Sequence, residues 1–430
     1  MRLRSLKRFA LLLGLGFLLS WVIGCDTGQP DAQQSSLQEG QQEIEFWTMQ
    51  LQPDFTDYFN QLIAEYEAQN PDVRVRWVDV PWADMQSKIL TAVTAGTAPD
   101  VVNLNPDFAA QLASKNAWLP LDGVVTEGDK QVYLPNIWQA NSLDGKSFGI
   151  PWYLTTNVTF YNQAILDEAG IEPPTTYAEL AEVAQQVKEQ TGKYAYFTTF
   201  VPEDSADVLQ SFVQMGVELV DDQGQAAFNT PEGKAVFQYW TDLYRNDLLP
   251  KEVLTQGHRR AIELYQAGEV ALLSTGAEFF PTIEANAHDI ASVTGSVPQI
   301  TGETGKQNVA VMNLVIPAAT DAPEAAVDFA LFLTNDVNQL SFAQAANVLP
   351  STKAALTDEY FTAAAGDVQG VEKARAVSAT QMDQAEVLIP AMDGIKDLQA
   401  IIYDNLQAAM LGQKTVDEAI EDAAAEWNGR

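Results

Sequence analysis

DGKSFGIPWYLTTNVTFYN, residues Asp144 to Asn162, is the stretch whose reading decides the fold. Asp144-Gly145-Lys146, followed by Phe148-Gly149-Ile150, reads as a tight hairpin turn, because Asp-Gly tolerates the left-handed backbone such turns need. From Ile150 to Tyr161 the chain is apolar, aromatic and β-branched with no period-2 break. That pattern predicts a strand buried on both faces, or one running between two bodies. Pro151 cannot donate to a ladder, so it marks an edge or the entry into a new sheet. A strand lying between two lobes, carrying Trp152, Tyr153, Thr155 and Asn157, would be both hinge and cleft wall.

The N-terminus fits an exported protein. Arg2, Arg4, Lys7 and Arg8 precede an apolar run from Phe9 to Ile23, and Val22-Ile23-Gly24-Cys25 closes the segment. A basic start, a short apolar stretch and a small residue before the break make a secretory leader rather than a spanning helix. Val-Ile-Gly-Cys resembles the bacterial lipoprotein cleavage motif, which implies that Cys25 carries a lipid anchor. Cys25 is the single cysteine of the 430 residues, so its lipidation excludes disulfides, thiol catalysis and Cys-based metal sites together. From Asp26 to Gln42, DTGQPDAQQSSLQEGQQ is too polar to order itself and reads as a tether reaching roughly 20 to 25 Å.

The remaining chain is too long for one core and suits two. Loss of the four basic residues of the leader takes the net charge from −34 to −38. A surface this acidic repels phosphate backbones and anionic lipid heads, so nucleic acid is excluded as a partner.

From Ile44 onward, strand and helix alternate. Ile44–Thr48, Val73–Val78 and Asp100–Leu104 read as strands, and residues from about Pro53 and from Met85 to Thr94 read as helices. Such spacing predicts parallel βαβ units, whose ligand crevice lies beyond the carboxyl ends of the strands. Those ends carry Trp47, Gln50, Asn103, Asn105 and Asp107. After the central stretch the pattern turns helical, with capping boxes at Thr176–Glu179 and Thr415–Glu418 and Pro231 opening another helix. Thr199-Phe200-Val201-Pro202 presents an aromatic at a bend, and Gly276-Ala277-Glu278-Phe279-Phe280 follows a strand. Val309 to Ile316 returns as a strand-like connection with Asn313 inside it.

The order of these motifs resembles the extracellular solute-binding proteins of ABC importers, in the carbohydrate-binding family that includes maltose-binding protein. The matching pieces are the lipoprotein motif, Phe46-Trp47, Ala95-Gly96-Thr97-Ala98-Pro99-Asp100-Val101-Val102, and Asp144-Gly145-Lys146 leading to Gly149-Ile150-Pro151 and Tyr161-Asn162. They continue through Pro174-Thr175-Thr176-Tyr177, Gly268-Glu269-Val270-Ala271-Leu272, Leu349-Pro350 and Gly412 to Ala419. The resemblance implies an α/β, two-lobed periplasmic-binding-protein-like (type II) fold with three interlobe crossovers. The leader would occupy 1–24, the tether 25–42, one lobe 43–154 with 313–362, and the other lobe 155–312 with 363–430. It further implies a monomer, anchored by Cys25 to the outer face of the cytoplasmic membrane, that delivers a sugar to permease subunits. By position, Trp47 matches a family aromatic and Asp107 a carboxylate that bonds sugar hydroxyls. Where many sugar binders carry a stacking Trp, this chain has Glu278, with Phe279 and Phe280 beside it.

Sugars need aromatic faces for their C–H surfaces and carboxylates or amides for their hydroxyls. Trp47, Trp152, Tyr153, Phe200 and Phe279 are candidates of the first kind. Gln50, Asn103, Asn105, Asp107, Asn157, Glu278 and Asn313 are candidates of the second. Asp100 reads as a turn tie. The acidic cleft also admits a compatible solute, a polyamine or another cation as ligand, and no Tyr-Tyr pair of the iron-binder type occurs. Gly145-Lys146-Ser147-Phe148-Gly149 matches the G-x-S-x-G pattern of serine hydrolases, but no helix follows the Ser, and the histidines are His258 and His288. A lipoprotein enzyme on this scaffold is therefore disfavoured. Zinc ligands, EF-hand spacing, a P-loop and a dinucleotide fingerprint are all missing from the sequence, so no cofactor is expected.

Overall fold

The computed structural model describes residues 41–202, 204–362, 369–389, 392 and 394–430, and leaves aside the side chains of Pro106 and Asp107. The leader, Cys25 and the tether through Gly40 lie outside the described residues. The central stretch forms two strands in two different sheets, separated by Thr156 alone. The strands that matter are β1 (Gln42–Met49), β2 (Val73–Val80), β3 (Val101–Leu104), β4 (Ile150–Thr155), β5 (Asn157–Asn162), β6 (Leu272–Gly276), β7 (Thr294–Pro298), β8 (Ala310–Val315) and β9 (Leu349–Pro350). One sheet has the order β9-β4-β8-β3-β1-β2, and the other has the order β6-β5-β7.

The first sheet is mixed. β1 pairs in parallel with β2 and β3, as the βαβ spacing predicts, whereas β8 runs antiparallel between β3 and β4. The second sheet is wholly antiparallel. Upstream, the Asp-Gly reading holds: Asp144 and Gly145 both have positive φ, and Ser142 and Leu143 pair with Ser147 and Lys146. Pro151 is tolerated inside the sheet because the two-residue β9 reaches only Leu154 and Tyr153.

Helices cover both faces of the first sheet. Period-2 alternation sends Phe46 to one face and Trp47 to the other. Helix α1 (Thr56–Gln69) buries Phe59, Leu62, Ile63 and Tyr66 at helical spacing, and α2 (Trp82–Ala95) buries Met85, Ile89 and Ala92 on the opposite face. Helix α3 (Pro106–Ala113) follows β3 directly. The Phe46 side is an aromatic cluster: Phe329 meets Phe46 edge-on at 5.3 Å, and Trp152 stacks on Phe342 at 5.0 Å and 22°. Each such pair adds about 0.5–1.5 kcal/mol beyond the area it buries.

A second core surrounds the other sheet, with Val158, Phe160, Phe212, Trp240 and Leu406 among its buried residues. Its helices include α4 (Tyr177–Thr191), α5 (Pro231–Arg245), α6 (Ile395–Met410) and α7 (Val416–Asn428), with capping boxes at Thr176 and Thr415 and Pro231 in the first turn of α5.

Three segments far apart in sequence are tied by buried amides. Gln381 Nε2 donates to Thr156 Oγ1 at 3.3 Å and to the Asn157 carbonyl at 3.1 Å. Its Oε1 accepts from Gln299 N at 3.0 Å and Gln299 Nε2 at 3.1 Å. Gln299 in turn bonds the backbone of Asn308 in both directions, at 3.0 and 2.8 Å. The segments around 156, 299–308 and 381 therefore share one hydrogen-bond network made only of neutral groups.

Candidate functional site

A cavity of about 140 Å³ is lined by Gln86 of α2 and by Phe108 and Gln111 of α3 on one side, and by Met392 and Gly394–Asp397 at the start of α6 on the other. Gln86 Nε2 donates to Gln111 Oε1 at 3.2 Å, so an amide pair forms part of that wall.

Tyr153 of the first sheet and Glu278 just beyond the second are near enough for the carboxylate to act on the phenol. Tyr153 is half-buried on β4, its ring edge-on to Phe342 at 5.3 Å. Burial, with the Glu278 carboxylate acting on it, pushes its phenol upward. Glu278 follows the end of β6, and its carboxylate folds back over Gly276, where any Cβ would collide with it. Burial raises the Glu278 carboxyl from its ordinary 4.5 to about 7, offset only in part by a hydrogen bond to backbone. At neutral pH this group is divided between donor and acceptor forms. Asn157 pairs with Gly276 in the ladder and so lies beside it. Phe279, 37% exposed, stands at the same rim with the His258 ring 6.5 Å away.

The other sequence-derived candidates divide. Gln50 is exposed at the end of β1, with positive φ, and its Oε1 accepts from Trp82 N at 3.2 Å. Asn103 and Asn313 are fully buried on paired strands, Asn103 Nδ2 donating to the Asn313 carbonyl at 3.4 Å, and both side-chain Oδ1 atoms lack a partner among the described residues. Gly149 packs against Asn313, where a Cβ would sit 3.2 Å from that of the Asn. Asn105 is the N-cap of α3, its Oδ1 accepting from Phe108 N at 2.9 Å. Asp107 lies in α3, and its side chain is outside what is described.

Three aromatics are corrected to core residues. Trp152 is 1% exposed among Phe46, Phe59 and Phe342. Phe200 is fully buried between Trp240 and Tyr403. Trp47 packs under α2 with Met49 and Met85, its indole donating to Glu45 Oε1 at 2.6 Å and its ring covered by Lys88 at 4.2 Å. In each case a bulky side chain at a strand or bend is consumed by the nearest packed layer, leaving no face for a ligand. Ser147 is likewise structural: its Oγ donates to Asp122 and accepts from the Trp138 indole. Asp100 accepts from the Glu45 amide at 2.8 Å and from Thr320, as expected of a turn tie.

Sequence reading missed Trp82, Gln86, Gln111, His258 and Gln381. Pro81-Trp82 after a strand was the available signal for Trp82, and glutamines carry none. His258, one of the two histidines, bonds Thr275 Oγ1 at 3.3 Å. Burial pushes the nearby Asp207 carboxyl up, and His258 partly restrains it. Among the described residues no group of three His, Cys, Asp or Glu is arranged to hold a metal, and no helix is long and apolar enough to cross a membrane.

Comparison with known proteins gives a consistent result. The family model for the bacterial extracellular solute-binding protein matches residues 52–340. The arabinooligosaccharide-binding protein of Halalkalibacterium halodurans is 30% identical over 305 residues, covering 68% of this chain and 67% of that one. A crystal structure of a candidate oligosaccharide periplasmic-binding protein from Synechococcus sp. MITs9220 is 45% identical, with a TM-score of 0.84 over 90% of this chain and 98% of that one. The same protein is also known in complex with zinc. The cyclic alpha-maltosyl-1,6-maltose binding protein of Arthrobacter globiformis is similar in fold, with a TM-score of 0.77 at 22% identity over 91% and 99% of the two chains.

Proposed function

The chain belongs to the bacterial extracellular solute-binding protein family, and from that premise we propose that it captures a sugar or oligosaccharide between its lobes and delivers it to an ABC-type permease. The observation that carries the reading is the match to the solute-binding family and to oligosaccharide-binding relatives over most of the chain, with Tyr153 and Glu278 as the candidate contact pair. An aromatic face and a carboxyl able to donate or accept are the two group types a pyranose needs. Gln50, Asn157 and Phe279 complete the wall, with Asp107 as a further hydroxyl partner.

The lobes in this proposal are 43–154 with 313–362, and 155–312 with 363–430, joined by three crossovers. The two separate cores support a two-lobed division, while β8 (Ala310–Val315) pairs within the first sheet and Met382 and Ala385 belong to its core, which moves those residues to the first lobe. Ligand contacts made to both lobes at once favour the closed form over the open one, and the permease reads that shift. We further propose a lipid anchor at Cys25, a monomeric state and no catalytic activity. The last is supported by the engagement of Ser147 with Asp122 and Trp138.

Differential scanning fluorimetry against mono- and oligosaccharides, sugar alcohols, betaines and polyamines tests the reading. A ligand at 100 times its Kd adds about 2.7 kcal/mol of stability. A shift with sugars that disappears in Tyr153→Ala supports it; shifts with cationic solutes alone overturn the sugar assignment.

A further inference from the structure

A second cavity, of about 430 Å³, lies against the second sheet, and neither Tyr153 nor Glu278 lines it. Its wall on β5 is Phe160 and Tyr161; Tyr161 stands four residues, about 14 Å, along the strand from Asn157. Two glycines shape it. Gly295 on β7 pairs with Tyr161, and the Tyr161 ring lies where a Cβ would stand, its nearest atom 2.1 Å away. Gly370 has a φ of +63°, and a Cβ there would sit 3.1 Å from the Phe280 ring. Phe280 in turn is tilted against Phe160 at 5.7 Å, so aromatic faces make up much of the wall.

Charges of both signs enter the same cavity from two helices. Gln163–Ala169 contributes Asp167, whose Oδ1 accepts from Gln163 Nε2 at 2.6 Å, so the carboxylate is held in place by one oxygen. Gly370–Thr380 contributes Lys373, half-buried and in no ion pair among the described residues. In a chain with 58 acidic and 24 basic side chains, a half-buried ammonium left without a carboxylate is conspicuous. Lys373 and Asp167 share a cavity and do not pair with each other. Ser296 on β7, 6% exposed, also lines it, and its Oγ has no partner among the described residues. A buried hydroxyl in that state is destabilising until a partner reaches it.

We propose that this cavity is a second binding site, independent of the sugar site, for a small zwitterion of amino-acid size. Its carboxylate pairs with Lys373 and accepts from Ser296, and its ammonium lies between Asp167 and the face of Tyr161, the two kinds of group that attract a cation. The volume is within the range of small-molecule sites. A ligand with one charge satisfies only one of the two side chains, which is why the geometry favours a molecule carrying both.

The test is calorimetric titration of the full chain, in detergent, with glycine betaine and L-proline as zwitterions, sodium propionate as an anion and choline chloride as a cation. In the wild type at least one zwitterion binds more tightly than propionate or choline. Lys373→Met keeps the side-chain stem and lowers that affinity roughly ten- to a hundredfold, and Asp167→Asn brings the zwitterion level with propionate. Both positions lie on helix surfaces, and an unchanged melting temperature without ligand confirms that the variants are folded. Zwitterion affinity equal in wild type and Lys373→Met overturns the site. Binding that is lost in Tyr153→Ala or displaced by a sugar overturns it in favour of the sugar site. Propionate as tight as the zwitterions in the wild type overturns the zwitterion in favour of a simple anion, and no heat with any probe overturns the proposal outright. A wild type that binds zwitterions and no sugar overturns the sugar reading alone.

Discussion

Glu278→Gln isolates the cost of holding a carboxyl in the cleft rim. The side chain is raised from an ordinary 4.5 to about 7 because burial disfavours its charge. In the unfolded chain it ionises near its ordinary value. Below that pH both states are protonated and the group costs nothing. As pH rises toward 7 the unfolded chain releases the proton first, so stability falls, and above 7 the loss is constant. A shift of this size corresponds to about 3 kcal/mol at 1.36 kcal/mol per unit, and to about 2 kcal/mol once the carboxyl's remaining access to water is allowed for. Gln keeps the shape and removes the titration. Urea unfolding of both proteins at pH 4.5 and pH 8 reads the difference. The expected result is near-equal stability at the lower pH and a Gln variant about 2 to 3 kcal/mol more stable at the higher one. An offset that is the same at both values, or a Gln variant that is weaker at pH 8, refutes the reasoning. Closure buries the group further, so sugar affinity of the wild type also falls as pH passes upward through 7, and that dependence vanishes in Glu278→Gln.

Other outcomes follow from burial. Trp152→Ala and Phe200→Ala each lose about 3–5 kcal/mol in urea unfolding, because each empties a filled aromatic cluster; a loss of sugar binding with stability unchanged would return them to the cleft. Gln381→Leu strips the hydrogen bonds from Thr156, Asn157 and Gln299, with an expected loss of about 2–4 kcal/mol. Small-angle scattering on that variant should show a smaller sugar-dependent compaction than in the wild type.

How much of this was legible in the sequence depends on the residue. The alternation of strands and helices, the Asp-Gly hairpin and the capping boxes at Thr176 and Thr415 are local signals, and each appears where its spacing put it. The mixed order of the first sheet was not legible, because β8 arrives from 206 residues after β3 and nothing local sets its direction. Aromatics were the least readable. Trp47, Trp152 and Trp82 all stand at or near strand ends, yet Trp47 and Trp152 are enclosed and Trp82 is open. What separates them is whether a helix packs over that position, which is a property of the assembled layers. Asn103 and Asn313, also expected at the cleft, are fully buried on paired strands, because a polar residue in a strand looks the same in sequence whether it faces solvent or a neighbouring strand.

The division of labour between hinge and rim follows from the same chemistry. Gln381, Gln299, Asn308 and Thr156 are uncharged at every physiological pH, so the network that couples the connecting segments does not titrate. A carboxylate at any of those positions would make the open and closed populations depend on protons, since buried charge is costly in whichever form leaves it less well solvated. Neutral amides leave that equilibrium to the ligand. Within the proposed site, the group with a carboxyl raised by burial is Glu278. Closure driven by sugar and closure driven by pH are therefore separable: Gln381→Leu alters the first at all pH values, and Glu278→Gln removes the second while leaving the hinge untouched. If the two variants showed the same pH profile, the hinge and the rim would be one coupled unit, and the neutral network could not be the element that sets the open-to-closed balance.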